Sequence, residues 1–145
     1  MGEYCEVSHL KYYLPLRTET KIYQRRKVTV EKPIFPGYFF ASFDADGRLN
    51  LLKSNIVIRV LEPGNQRELL HQLAQIRKAL AVDPTLGACA AFQKGRRVRI
   101  LSGPFTGVEG VVSQLKGNTR VWLNVEIIGR AVAVEVGRES LEPVD

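Results

Sequence analysis

The apolar positions of this chain follow one period and then another, and each change of period marks an element. Tyr12, Tyr13, Leu14 and Leu16 predict a short strand, with Pro15 calling for a sheet edge or a bulge. Residues 17–27 are polar and basic and read as a loop or as the tip of a long hairpin. Val28 and Val30 then alternate with Thr29 and Glu31, the period of a half-buried strand. After a Pro36-Gly37 break comes an aromatic strand that places Tyr38, Phe40 and Ser42 on one face and Phe39, Ala41 and Phe43 on the other. Residues 44–47 read as a turn, residues 48–54 as a short helix and residues 56–61 as a β-branched strand.

A longer helix follows. Asn65 is placed to cap it, with Glu68 as capping-box partner, and Leu69, Leu70, Leu73, Ile76 and Leu80 fall on one face. Pro84 and Gly87 lie beyond its end. From Gly95 onward the period is two. Val98 and Ile100 alternate with arginines; Val121, Leu123, Val125 and Ile127 form one face, and Val132, Val134 and Val136 another. Tight connections are expected around Gly117 and Gly129. So many short strands in so few residues predict a small closed barrel of five strands, because closure removes exposed edges. The fold class is α+β, with a first domain over residues 1–83, a linker over 84–94 and a second domain over 95–145.

Composition narrows the function classes. Hydrophobic residues make up 45% and charged residues 25%, ordinary for a globular protein and incompatible with disorder throughout. No uncharged apolar run approaches the roughly 18 residues of a membrane span. The first residues lack the apolar core of a secretory signal, and two cysteines with two histidines build neither a disulfide framework nor a metal cluster. A reducing cytoplasm is the expected compartment, with no metal and no cofactor. Lys and Arg number 21 against 15 Asp and Glu, a net charge of +6 that favours polyanionic partners. The surplus is spread along the chain, so a folded protein with mildly basic faces is expected rather than a basic tail. No nucleophile elbow, phosphate loop or acid pair is present, and no enzymatic activity is expected.

Three segments carry candidate chemistry. In the first, Gly103-Pro104 makes a turn, Gly107 relaxes the backbone on re-entry to the sheet, and Gly110 is a mid-strand glycine that signals a bend or a close backbone approach. Phe105 at that loop tip either tucks into the barrel or stands out as an anchor. The second segment runs Ile34-Phe35-Pro36-Gly37-Tyr38-Phe39-Phe40; aromatics on both faces mean a covered central strand or an apolar face left for a partner. The third is Lys21, Arg25, Arg26 and Lys27, either a solvated hairpin tip or a sequence-blind contact to nucleic-acid phosphates.

The glycine spacing over residues 95–112 resembles the KOW motif. A Phe-Pro-Gly-Tyr strand about 60 residues before it resembles the N-terminal domain of NusG-type transcription factors, and residues 125–135 look like that family's final hairpin. The resemblance covers residues 10–145 and extends to RfaH-type specialised paralogues. It implies a non-enzymatic elongation or antitermination factor: an N-terminal α/β sandwich that binds the clamp helices of the largest RNA polymerase subunit and suppresses pausing, and an SH3-like KOW barrel, tethered separately, that recruits Rho or a small-subunit ribosomal protein. Phe35, Tyr38 and Phe40 match the polymerase contact, and Pro104 and Phe105 the KOW contact. A monomer is expected. The family's initial Trp-Tyr strand and amphipathic helix are missing before Tyr4, so the N-terminal domain is expected to be incomplete, with a sheet edge open. The loop after Phe43 lacks the threonine-rich contact of some specialised members. The alternative is a ribosomal or other RNA-binding KOW protein, for which +6 is a low charge. Residues 97–136 should be barrel rather than helical hairpin, since a helix would scatter their alternating apolar positions.

Overall fold

The computed structural model describes residues 2–7, 10–43, 45–54, 59–93, 95–113 and 118–144. The first sheet is organised by one long strand. β1 (Gly2–Val7) and β2 (Leu10–Tyr23) are antiparallel, with Gly2 opposite Pro15 and Val7 opposite Leu10. The second half of β2 pairs with β3 (Arg26–Pro33), from Leu16 opposite Pro33 to Tyr23 opposite Arg26. β4 (Phe40–Ser42) returns to the first half of β2 and sets Phe40 opposite Tyr13. Lys11, Tyr12 and Tyr13 therefore have a strand on each side, and β1 occupies an edge where an opening was expected.

Two helices follow. α1 (Ala45–Lys53) covers most of the helix predicted over 48–54 and takes in Ala45–Gly47, which had read as a turn. Of the strand expected over residues 56–61, residues 56–58 lie outside the described residues, and 59–61 take no regular structure. α2 (Gln66–Val82) begins as the sequence foretold: Asn65 Oδ1 accepts the Glu68 backbone N–H at 3.1 Å. The Glu68 carboxylate accepts from Gln72 Nε2 at 3.4 Å, one turn further on. Leu73, Gln75, Ile76, Ala79 and Leu80 form the buried face. Leu70, expected on that face, is 66% exposed. Seven residues, close to two full turns, separate it from exposed Arg77, so both share the solvent side.

The rest of the chain is an antiparallel sheet of β5 (Ala88–Ala90), β6 (Arg96–Ile100), β7 (Glu109–Val112), β8 (Asn118–Val125), β9 (Arg130–Gly137) and β10 (Leu141–Pro143), ordered β10-β6-β7-β8-β9-β5. β6, β7, β8 and β9 lie where period two placed strands, except that the run beginning at Val121 stops at Val125 and Ile127 falls in a 3-10 turn. The count is six rather than five because β5, from the segment read as a linker, pairs with β9. Three residues of Ala-Cys-Ala offer no alternation to read. Among the described residues no strand pairing joins β5 to β10, so the ladder is open where closure was expected. Beyond β5 the chain is strapped down. Asn124 accepts the Phe92 N–H at 3.0 Å and donates to the Phe92 carbonyl at 2.8 Å, and the Phe92 ring stacks on Trp122 with centroids 4.6 Å apart. The connection expected around Gly117 lies outside the described residues. The other is a 3-10 turn (Glu126–Ile128) ending at Gly129, whose φ of 64° suits glycine.

Among the described residues one cluster of buried side chains spans both parts of the chain. It runs from Ile34 and Phe35 through Leu73, Ile76, Ala79 and Leu80 of α2 into Val98, Ile100, Val108, Val112, Val121, Leu123, Val125, Val132 and Val134 of the second sheet. Two glutamines fix the helix on that sheet. Gln75, 3% exposed, accepts the Glu109 N–H at 2.9 Å, and Gln72 accepts the Glu126 N–H at 3.1 Å.

Two stability predictions follow from these contacts. A Cβ at Gly110 would stand 2.6 Å from the Trp122 carbonyl oxygen, so Gly110→Ala should destabilise by about 1–3 kcal/mol in urea unfolding. Gln75→Ala strips a half-buried N–H of its acceptor and should cost about 1–3 kcal/mol by the same measurement, with the β-sheet circular dichroism retained.

Candidate interaction surfaces

The first surface is the aromatic turn between β3 and β4. The Ile34 N–H still donates to the Pro15 carbonyl at 2.9 Å, but the chain then leaves the ladder. The Tyr38 N–H closes back on the Phe35 carbonyl at 3.1 Å, and Gly37 has φ +86°, the positive value that the third residue of a type II turn demands. This detour, rather than strict strand alternation, decides the aromatics. Phe35 is 2% exposed and belongs to the core. Phe40 is half-buried and meets Phe35 edge-on, centroids 6.4 Å apart. Tyr38 and Phe39 reach solvent at 38% and 40% exposure, with Phe39 edge-on to Tyr12 at 6.1 Å. Of the three residues expected to meet a partner, Tyr38 and part of Phe40 are accessible, while Phe35 supports them from beneath. Beneath the turn, burial pushes the Tyr13 phenol above its ordinary pKa, an effect opposed by Arg77.

The second surface is the arm formed by β2 and β3. Residues 20–29 are all exposed. Gln24 and Arg25 connect the strands with φ of 49° and 65°, the paired positive values of a type I′ turn, whose twist matches that of the flanking strands. Lys21, Arg25, Arg26 and Lys27 thus sit at the tip of a long hairpin, one of the two readings of this segment. Nearer its base, Glu19 lies 2.8 Å from Lys32 and 3.8 Å from Arg17. Lys32, hydrogen-bonded to it, holds the Glu19 carboxyl below its ordinary pKa, and Glu19 in turn raises that of Lys32. Lys21 is lowered, chiefly by Lys32 beside it. Tyr23, at the tip and 67% exposed, escaped sequence reasoning because a lone aromatic in a polar run carries no periodicity.

The third surface is the loop between β6 and β7. Gly103 and Gly107 have φ of 87° and 90°, and the Gly107 N–H donates to the Ile100 carbonyl at 2.8 Å, closing the loop at its root. Both glycines, and Gly110 in its close approach to β8, do what their spacing foretold. Pro104 is exposed, whereas Phe105 is half-buried against the core. Phe105 borders a cavity of about 380 Å³ also lined by Leu86, Arg120 and Val134. Cys89 of β5 is half-buried, and burial raises its thiol pKa against the pull of Arg120. His71 Nε2 stands 4.0 Å from a Glu109 carboxylate oxygen across the contact between α2 and the second sheet.

Among the described residues no group of three His, Cys, Asp or Glu side chains could hold a metal, and no helix is long and apolar enough to cross a membrane. What the molecule offers at its surface is area of three kinds, aromatic, cationic and mixed, on an α+β frame. No protein-family model matches the chain. Individual relatives do. The transcription termination/antitermination protein NusG of Thermus thermophilus is 30% identical over 125 residues, covering 77% of this chain and 67% of its own length. NusG of Borreliella burgdorferi is 26% identical over 145 residues, covering 90% and 78%. NusG of Neisseria meningitidis serogroup B is 25% identical over 155 residues, covering 100% and 83%. The chain belongs to the NusG family of transcription termination/antitermination proteins.

The positive φ of Arg25 generates a local prediction. A non-glycine residue in the left-handed region costs about 1–2 kcal/mol, so Arg25→Gly should firm the arm. Hydrogen exchange of the cross-strand amides of residues 20–29 is expected to slow by up to about tenfold.

Proposed function

We propose that this chain acts by binding RNA polymerase through its N-terminal sheet, on the clamp helices of the largest subunit, and there suppresses pausing or alters termination. The observation that carries the reading is the aromatic turn: Tyr38 and Phe39 stand in solvent on a platform that Phe35 anchors in the core. Large aromatics held rigidly at a surface are the residue type that dominates binding energy at protein interfaces. Pro104 and Phe105 form the second contact, for Rho or a small-subunit ribosomal protein. Phe105 has to be reached through the cavity it borders or turned outward from it. The tip cations Lys21, Arg25, Arg26 and Lys27 meet nucleic-acid phosphates beside the polymerase without reading sequence, a contact that weakens as salt rises. Residues 1–83 and 95–145 carry these separate tasks, and the protein works as a monomer, without a cofactor and without catalysis.

Tyr38→Ala tests the central claim, since this side chain is exposed and its loss leaves the core intact. Affinity for core RNA polymerase should fall about 30-fold or more, equivalent to about 2 kcal/mol. Unchanged affinity for a folded variant would remove the aromatic turn from the contact.

A further inference from the structure

The register of the arm places its tip side chains on two unlike faces. Directly opposed residues of an antiparallel pair share a face, and successive residues alternate. Ile22 and Lys27 therefore lie on one face with Thr20 and Thr29. The other face carries Tyr23 opposite Arg26, then Lys21 opposite Val28, Glu19 opposite Val30 and Arg17 opposite Lys32. The ion pairs from Glu19 to Arg17 and Lys32 run along this second face, as the register requires. The carboxylate is thereby matched, so Lys21 and Arg26 meet solvent as net cations. Residues 20–29 contain four cations and no acid. The Tyr23 ring stands among them at 67% exposure.

We propose that this face binds an unpaired nucleic-acid strand, with a base stacked on Tyr23 and the adjoining phosphates on Lys21 and Arg26. The inference rests on the proposed contact between the arm and nucleic acid and names the form of nucleic acid it takes. The cations alone would accept any phosphate backbone, duplex included. The ring makes the choice. In a duplex the π-faces of the bases are stacked on one another, whereas a single strand offers them to an aromatic side chain. An exposed tyrosine flanked by a guanidinium and an ammonium is the combination that tracks a single strand, with stacking indifferent to base identity and affinity governed by salt. Chain placement favours it too. The ring sits at the far end of a hairpin whose residues 20–29 are exposed throughout, so a strand can approach without displacing any part of the fold.

The test uses the intact protein, fluorescence anisotropy at low salt, an oligo(dT) of about 15 nucleotides, and a duplex of the same length. The expected result is tighter binding of the single strand than of the duplex. Tyr23→Leu keeps bulk and charge but removes the ring; it should weaken single-strand binding by roughly 5- to 100-fold and leave duplex binding within about twofold, while Tyr23→Phe restores it. Lys21→Gln with Arg26→Gln should weaken both and flatten the salt dependence. Equal affinity for the two forms, or a Tyr23→Leu variant that binds the single strand like the parent, overturns the stacking proposal while leaving the phosphate contact standing. Absence of binding to either form, or indifference to loss of the cations, overturns the phosphate contact itself and leaves the tip to an acidic protein surface.

Discussion

The apolar face of α2 holds the molecule together. Leu73, Ile76, Ala79 and Leu80 join a core that begins at Ile34 and Phe35, in the turn after β3, and ends at Val134 in the second sheet. Neither sheet is large, and an isolated unit of about 60 residues buries only about 60% of the surface its unfolded chain exposes, which leaves it marginal. By sharing a helix, each half gains apolar partners that it could not assemble alone. The contact is also oriented. Gln72 and Gln75 offer their oxygens to backbone N–H groups at the end of β8 and the start of β7, so sliding the helix along the sheet would break both hydrogen bonds at once.

From that fixed centre the three surfaces take their character. The aromatic turn is stiff because Phe35 roots it in the common core and Gly37 supplies the one conformation that lets the chain double back. The arm is the reverse case: residues 20–29 are exposed, and only cross-strand pairing and its turn shape it. The loop of residues 103–107 stands between, its backbone closed at the root and its phenylalanine half-sunk. Rigidity near the core and reach away from it suit the two kinds of contact proposed above.

The elements legible in the sequence were those fixed by local chemistry. Asn65 announced α2 because its side chain serves a backbone group three residues away. The valines of β8 and β9 announced strands because one face of each is buried along its length. β1 and β5 were silent, since both owe their extended form to partners distant in sequence, Leu10–Pro15 for one and Arg130–Val132 for the other. At the surfaces, the tip cations were readable as exposed side chains, whereas Tyr38 was left between a covered strand and an open face. The burial of Phe35 was not, because an aromatic beside Pro-Gly fits either side of the turn until the detour from the ladder is known. Tyr23 became visible only through register.

The strap formed by β5 and Phe92 has a bearing on how this molecule divides. By sequence the helical part ends at residue 83, the β-rich part begins at residue 95, and a linker lies between them. By contact the frontier lies earlier, because Ala88–Ala90 complete the β9 edge and Phe92 covers Trp122. A cut placed at the change of composition would leave an edge strand on the wrong fragment, uncapping a sheet margin and baring an indole. The covalent border and the energetic border of the two halves thus fall at different residues. The short stretch between them belongs by order to one half and by hydrogen bonding to the other, a seam stitched from both sides.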